Sequence, residues 1–181
     1  MMKRLISLPV LILITIILSL SSCRQGPRLF VGGFTEREGE KAMAVFEFNP
    51  GSGKLKYVSS ADVGPSPAYF CFSDRTGLVY VINEVMEFRG EFGGGLSTFS
   101  YDEKNSVFEK LNEMLIPYAG PCYISMSADS GHLFIANYPN GSVAVVRLDE
   151  SGVPETITDT CLLYTSPSPR DRTRPRMPSS A

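Results

Sequence analysis

The chain has 181 residues, with 17 lysines and arginines against 19 aspartates and glutamates, and a formal net charge of −2 at pH 7. This length fits one domain of ordinary size. The charge is unevenly spread, because residues 24–160 contain 11 basic and 18 acidic side chains, a net charge of −7. The acidic character of this segment argues against a nucleic acid as the partner.

The first 23 residues have the pattern of an export signal. Lys3 and Arg4 precede an almost wholly apolar run over residues 5–20, and the segment ends with the sequence LSSC at Cys23. A positive start, a short apolar run and small residues at the end are typical of a secretory signal. The LSSC ending resembles the lipobox of bacterial lipoproteins, which implies that Cys23 is lipidated and becomes the first mature residue. The expected location is therefore the cell envelope, lipid-anchored at the periplasmic or outer-membrane face, and an uncleaved membrane anchor is the alternative.

The other end of the chain, residues 161–181, differs from the rest. Its first eleven residues, CLLYTSPSPRD, resemble the translation of a transposase sequencing adapter, and the remainder is rich in proline, serine and arginine. We interpret this tail as an adapter-derived, disordered segment, with a natural disordered tail as the alternative. Its four arginines are accordingly not interpreted as a nucleic-acid site.

Between these ends, alternating apolar residues and turn signals predict strands only. The first three strands are predicted over residues 28–35, 42–49 and 54–61. The next four are predicted over residues 67–73, 78–83, 95–101 and 107–115, with a glycine-rich loop at residues 84–94. A third group begins at Pro121, with its third strand over residues 141–148 and its fourth near Val153.

The second and third groups copy one another at a constant spacing. Five residue types recur 54 positions apart: Pro67 and Pro121, Tyr69 and Tyr123, Ser73 and Ser127, Gly77 and Gly131, Asn83 and Asn137. A fixed offset without slippage marks a repeated supersecondary unit. Repeated four-stranded units of this length predict an all-β fold, a β-propeller of antiparallel blades. A solenoid or a sandwich is the alternative, but the even spacing and the four-strand repeat favour blades. Because propellers usually have four to eight blades, residues 24–160 are expected to form only about two and a half to three of them.

These segments resemble the lactonase-type seven-bladed propellers, which include bacterial 6-phosphogluconolactonases. The resemblance covers about residues 29–152 and is carried by LFVGGFT, by GPSPAYFCFSDRTGLVYVINE and by AGPCYISMSADSGHLFIANY. It implies seven blades and the hydrolysis of a sugar lactone by a base-activated water. One departure is Tyr123, because many family members have histidine at that position.

Strand direction places the candidate site. We call the end where each unit's first strand begins the upper face; long loops rich in glycine and proline gather there, while the lower face has short polar turns. On the upper face, Glu84 is the candidate general base and Tyr123 the second candidate catalytic residue. The candidate substrate-binding residues are Asn83, Arg89, Asn137 and Tyr138. Turn capping is the alternative role for Asn83 and Asn137, and a packing role is the alternative for Tyr123 and for Tyr69.

The expected partners are a small sugar lactone and the membrane that holds the Cys23 anchor; no cofactor and no metal are expected, because no metal-ligand or nucleotide motif occurs. A phosphorylated substrate would need a cation, for which Arg37, Lys41 and Arg89 are candidates. Export argues against 6-phosphogluconolactone itself, since that compound is made in the cytoplasm. A non-catalytic envelope propeller that binds carbohydrate or peptide and a lactonising isomerase of the muconate type are the alternatives. The oligomeric state is left open, with a monomer expected for the complete ring.

Overall fold

The computed structural model describes residues 26–35 and 39–163. The predicted export signal with Cys23, the side chain of Arg37 and the tail from residue 164 onward lie outside the described residues. In the part that is described, no helix is long and apolar enough to span a membrane.

All regular structure in the described residues is antiparallel β-structure, as the sequence predicts. The first sheet contains β1 (Arg28–Gly32), β2 (Met43–Asn49) and β3 (Lys54–Ala61), in that order. Next along the chain come β4 (Pro67–Phe72), β5 (Leu78–Asn83), the short hairpin β6 (Glu87–Phe88) and β7 (Glu91–Phe92), then β8 (Gly94–Asp102) and β9 (Val107–Ile116). The second sheet has the order β4-β5-β8-β9 and the hairpin stands apart from it. The third sheet has the order β10 (Pro121–Met126), β11 (His132–Asn137), β12 (Ser142–Leu148) and β13 (Pro154–Leu162).

The second and third sheets are copies in three dimensions as well as in sequence. Pro67 pairs with Asn83 and Pro121 pairs with Asn137, each at the upper end of its sheet. Both pairings then skip one residue, Ala68 in the second sheet and Cys122 in the third, so that a β-bulge follows the first proline of each sheet. The prediction of repeated four-stranded antiparallel units is therefore confirmed.

The hydrophobic core lies between the sheets. One buried cluster joins the second sheet to the third; its fully or almost fully buried members include Tyr80, Ile82, Leu96, Ile116, Ile124, Leu133, Ile135, Ala144 and Val146. A second cluster joins the first sheet to the second and contains Met43, Val63, Val79, Val81 and Phe99. Strand β5 lies between both clusters and is buried at all six positions, which explains its continuous apolar sequence.

Polar contacts add to this packing at the sheet boundaries. The Tyr80 hydroxyl donates a 2.7 Å hydrogen bond to the carbonyl of Gly152 at the lower face. On the outer strand of the second sheet, Nδ2 of Asn112 donates to the carbonyl of Pro154 at 2.9 Å. Both bonds cross from the second sheet to the third, so these two sheets form one packed body.

One element was not predicted from sequence. The sequence predicts a single loop over residues 84–94 after β5, but residues 87–92 form the hairpin β6–β7. Its turn is Arg89-Gly90, and both residues have positive φ, 54° and 80°, as a two-residue hairpin turn requires. The predicted tail also begins within an element, since Cys161 and Leu162 continue β13 opposite Val143 and Ser142.

Candidate active site

The upper ends of β4, β5 and β10 bring several predicted site residues together. Asn83 ends β5 and Glu84 follows it. The backbone N–H of Glu84 donates to the Ser66 carbonyl at 2.9 Å, on the side of β4. On the other side, the N–H of Gly120 donates to the Val85 carbonyl, also at 2.9 Å. The backbone at Glu84 is thus held between the loops that lead into the innermost strands of two neighbouring sheets.

Glu84 is half-buried, and the backbone that follows it contacts the loop before the third sheet through the Gly120–Val85 bond. Burial raises the pKa of the Cys122 thiol, and the negative charge of Glu84 raises that pKa further. A carboxylate can act in this way only from nearby, and Cys122 is the residue directly before Tyr123. The structure therefore brings the two predicted catalytic residues, Glu84 and Tyr123, into the same region of the upper face.

Tyr123 contacts its copy on the neighbouring sheet. The rings of Tyr69 and Tyr123 have centroids 4.8 Å apart and planes inclined at 47°. They lie on β4 and β10, the first strands of their sheets, and remain 43% and 48% exposed. Among the described residues, neither phenol oxygen has a hydrogen-bond partner.

The side chain of Asn83 is completely buried and is engaged within the protein. Its Nδ2 donates to the carbonyls of Val63 at 3.1 Å and Pro65 at 2.8 Å. Its Oδ1 accepts a bond from Ser97 Oγ at 2.9 Å. A side chain at Gly64 would collide with this amide, because a Cβ atom there would lie 2.7 Å from Nδ2 of Asn83. These bonds fix the loop that precedes β4, and a contact between Asn83 and substrate would require some of them to break.

Asn137 occupies the equivalent position in the third sheet. It is 3% exposed, and its Nδ2 donates to Ser142 Oγ at 3.0 Å and to the Pro117 carbonyl at 3.5 Å. Its Oδ1 is buried and has no partner among the described residues. The next residue, Tyr138, is 79% exposed at the upper face, and its backbone N–H donates to the Gly120 carbonyl at 2.9 Å.

The structure does not place Arg89 beside Glu84 and Tyr123. Arg89 lies at the tip of hairpin β6–β7 and forms an ion pair with Glu113 on β9, the outermost strand of the second sheet. Lys110 pairs with the same carboxylate at 2.5 Å. These three side chains, together with Phe88 and Asp62, border a pocket of about 150 Å³ between the first and second sheets. Arg89 is thus on the outer rim of the upper face, whereas the other predicted site residues are near the inner strands.

Sequence reasoning missed the contact that joins the first sheet to this region. Ser66, at a φ of 44°, donates from Oγ to the Thr35 carbonyl at 2.8 Å, and its backbone N–H donates to Thr35 Oγ1 at 3.0 Å. The only hint in the sequence is the flanking Pro65 and Pro67, which restrict the backbone there.

In the described part of the chain, no three histidine, cysteine, aspartate or glutamate residues are grouped so that they could hold a metal ion.

Comparisons with known proteins agree with this architecture. A curated 6-phosphogluconolactonase from Formosa agariphila is 24% identical over 124 residues, which cover 68% of this chain and 34% of that protein. The crystal structure of a candidate 6-phosphogluconolactonase from Bacteroides fragilis matches with a TM-score of 0.68 and 25% identity, over 84% of this chain and 41% of that one. The structure of a periplasmic gluconolactonase from Pseudomonas aeruginosa matches with a TM-score of 0.65 and 26% identity, over 74% of this chain and 38% of that one.

The chain thus spans about a third of the length of the curated relatives that it matches. The model of the lactonase family, described as a 7-bladed β-propeller, matches residues 28–177. That range contains all three sheets and the upper-face residues described above. The chain therefore belongs to the lactonase family of seven-bladed β-propellers.

Proposed function

We propose that this chain is part of an exported enzyme that hydrolyses a sugar lactone. The family and its lactonase relatives support a lactone as substrate. The observation that carries the proposal is the position of Glu84: a half-buried acidic residue whose backbone is held from both sides, beside the innermost strands of two blades. Fixed backbone on rigid strands is what a catalytic side chain requires.

In the proposed mechanism, Glu84 acts as a general base. Its carboxylate accepts a proton from a water molecule while the water oxygen bonds to the lactone carbonyl carbon. The tetrahedral intermediate collapses with cleavage of the bond between that carbon and the ring oxygen. The ring oxygen leaves as an alkoxide and takes up the proton that Glu84 accepted from the water, which restores the carboxylate; the product is the open-chain aldonic acid. The remaining blades, which we propose lie in the full-length gene product, would complete the ring around this site.

An unphosphorylated lactone is the favoured substrate. Of the cations predicted to hold a phosphate, Arg89 is paired with Glu113 on the outer strand, and Lys41 is exposed in the segment before β2. A phosphate near the inner strands would instead meet the negative charge of Glu84. The predicted lipid anchor supports the same choice, because it would place the enzyme outside the cytoplasm.

The full-length gene product should be assayed on glucono-1,5-lactone and on 6-phosphogluconolactone, with the spontaneous hydrolysis of each subtracted. We expect hydrolysis of the unphosphorylated lactone and a loss of at least about 10²-fold in kcat for Glu84→Gln, the lower range for removal of a general base. Glu87→Gln is the matched control, because Glu87 is exposed three residues further along the same segment. Absence of hydrolysis of both lactones would leave a binding propeller or an isomerase, and unchanged turnover in Glu84→Gln would remove Glu84 from the mechanism.

A further inference from the structure

The two tyrosines of the inner strands occupy an unusual position for large apolar side chains. Tyr69 and Tyr123 are equivalent in the repeat, and each is the third residue of its strand, β4 or β10, counted from the upper end. In a propeller, the first strand of each blade borders the central channel. Each ring is nearly half exposed, although burial of such a ring would be worth a few kcal/mol. The exposed ring surface is therefore available to a ligand in the channel.

The orientation of both rings depends on the two β-bulges. The register skips Ala68 between Pro67 and Tyr69, and it skips Cys122 between Pro121 and Tyr123. Since successive side chains alternate between the faces of a strand, one extra residue changes the face to which the following side chains point. The same device occurs in both sheets, and in both it precedes the tyrosine directly.

The two rings form one apolar surface, which we call the wall. With centroids 4.8 Å apart and planes inclined at 47°, they pack against each other at an angle, and a ligand can stack on the exposed part of either ring. Cys122 and Ala68, the bulged neighbours, add no charge to the wall, because burial and the nearby Glu84 carboxylate both favour the neutral Cys122 thiol. The phenol oxygens have no hydrogen-bond partners among the described residues, so the edge of the wall can also donate hydrogen bonds.

The charges around the wall indicate the class of ligand. Glu84 provides negative charge nearby, and the cations Arg89 and Lys110 are both paired with Glu113 on the outer strand. An anionic ligand would be repelled there, whereas a sugar lactone ring has an apolar C–H face that can stack on an aromatic ring and hydroxyl groups that can accept hydrogen bonds.

We propose that Tyr69 and Tyr123 form a stacking platform for the C–H face of an uncharged sugar lactone, which places the lactone carbonyl toward Glu84. This deepens, and rests on, the lactonase function proposed above. It assigns both tyrosines a positioning role through their rings, so that the Tyr123 phenol transfers no proton. Their variants should consequently change substrate affinity much more than turnover.

The test uses the full-length gene product with Tyr69→Ala, Tyr123→Ala and Tyr123→Phe. We expect each alanine variant to raise KM for glucono-1,5-lactone about five- to tenfold, the range for loss of one aromatic contact, with kcat within about twofold. Tyr123→Phe keeps the ring, so its KM should be close to that of the unmodified protein. Tyr57→Ala is the control, since Tyr57 is 57% exposed on β3, an outer strand far from the channel.

Binding of glucono-1,5-lactam, a ring of the same shape that is not hydrolysed, separates this proposal from the lactonase function. Weaker lactam binding in the alanine variants, measured by calorimetry, supports the platform even if no lactone is hydrolysed. If both alanine variants hydrolyse the lactone with unchanged KM and bind the lactam with unchanged affinity, the platform is overturned but the proposed lactonase function stands. The platform would also be overturned if Tyr123→Phe lowered kcat as much as Tyr123→Ala does. Tighter binding of 6-phosphogluconate than of the lactam would overturn it too.

Discussion

The hydroxyl of Ser97 donates a 2.9 Å hydrogen bond to Oδ1 of Asn83, inside the second sheet. The copy of this arrangement in the third sheet is incomplete. Ser97 pairs with the residue two positions before Asn83, and the residue that pairs two positions before Asn137 is Ala144. Oδ1 of Asn137 is therefore buried without the donor that its counterpart has.

Restoring the donor should stabilise the protein. We expect Ala144→Ser to raise the free energy of unfolding by about 1 kcal/mol, the net worth of one buried hydrogen bond. Urea denaturation of the full-length product measures it. In an Asn137→Ala background the same substitution should give no gain, and equal gains in both backgrounds would show that the serine acts elsewhere.

The reciprocal change, Ser97→Ala, should lower the free energy of unfolding by about 1–3 kcal/mol because it leaves Oδ1 of Asn83 unpaired.

The ion pairs of Glu113 should hold hairpin β6–β7 against β9. The Glu113 side chain is only 8% exposed and contacts both Arg89 and Lys110. Glu113→Gln removes the charge but keeps the shape, so we expect faster amide hydrogen exchange in residues 87–92, by roughly fivefold, because local opening costs about 1 kcal/mol less. Glu109→Gln, on the same strand and exposed, is the control. Unchanged protection of residues 87–92 would show that Phe88, buried against Gly95, holds the hairpin alone.

The half-buried Cys71 and the exposed Cys161 should differ strongly in reactivity. Burial raises the pKa of the Cys71 thiol to about 11, so at pH 8 it contains very little thiolate, the reactive form. Cys161 is exposed on β13. Alkylation of the 181-residue chain with iodoacetamide at pH 8, followed by mass spectrometry of the peptides, should modify Cys161 first and Cys71 last. Faster reaction at Cys71 would mean that the boundary between the second and third sheets opens readily.

The lower-face turns should contribute an acid-dependent part of the stability. The Ser151 hydroxyl and the backbone N–H of Val153 both donate to Oδ1 of Asp149 and lower the pKa of its carboxyl from the ordinary value of 3.8. A folded pKa below the unfolded one stabilises the fold above pH 3.8, and this stability is lost as the pH falls through the folded value. We expect a carbon NMR titration to give Asp149 a midpoint below 3.8. Ser151→Ala should move this midpoint upward, and an unchanged midpoint would assign the shift to the backbone donor.

Much of the fold was predictable because the strands carry their own signals. Pro67, Asn83, Pro121 and Asn137 begin or end strands where the repeat predicts, since the apolar alternation and the turn residues are local features. The hairpin of residues 87–92 was missed because strands of two residues have no measurable periodicity. Its only signal is the doubled Glu-Phe around Arg89-Gly90, a turn dipeptide with a glycine at its second position.

The candidate site was less predictable, because its members are joined by contacts between distant segments. Sequence could place Glu84 and Tyr123 at the same face but could not show that Asn83 is buried with both of its donors occupied. The partner of Arg89, Glu113, lies 24 positions away on a strand whose pattern gives no sign of the contact. The pairing of Thr35 with Ser66 spans 31 positions and joins two sheets. Such pairings depend on how the blades pack, which the strand pattern alone does not determine.

The contact between Tyr69 and Tyr123 allows the boundary between two blades to be followed by fluorescence. The chain has no tryptophan, so tyrosine emission is not masked, and these two rings are close enough to couple covalently when oxidised. Photo-oxidation should then produce dityrosine, whose red-shifted fluorescence would report that the blades stayed together. If photo-oxidation in mild denaturant no longer forms this cross-link while the strands are still folded, the blade boundary is the first part of the molecule to separate.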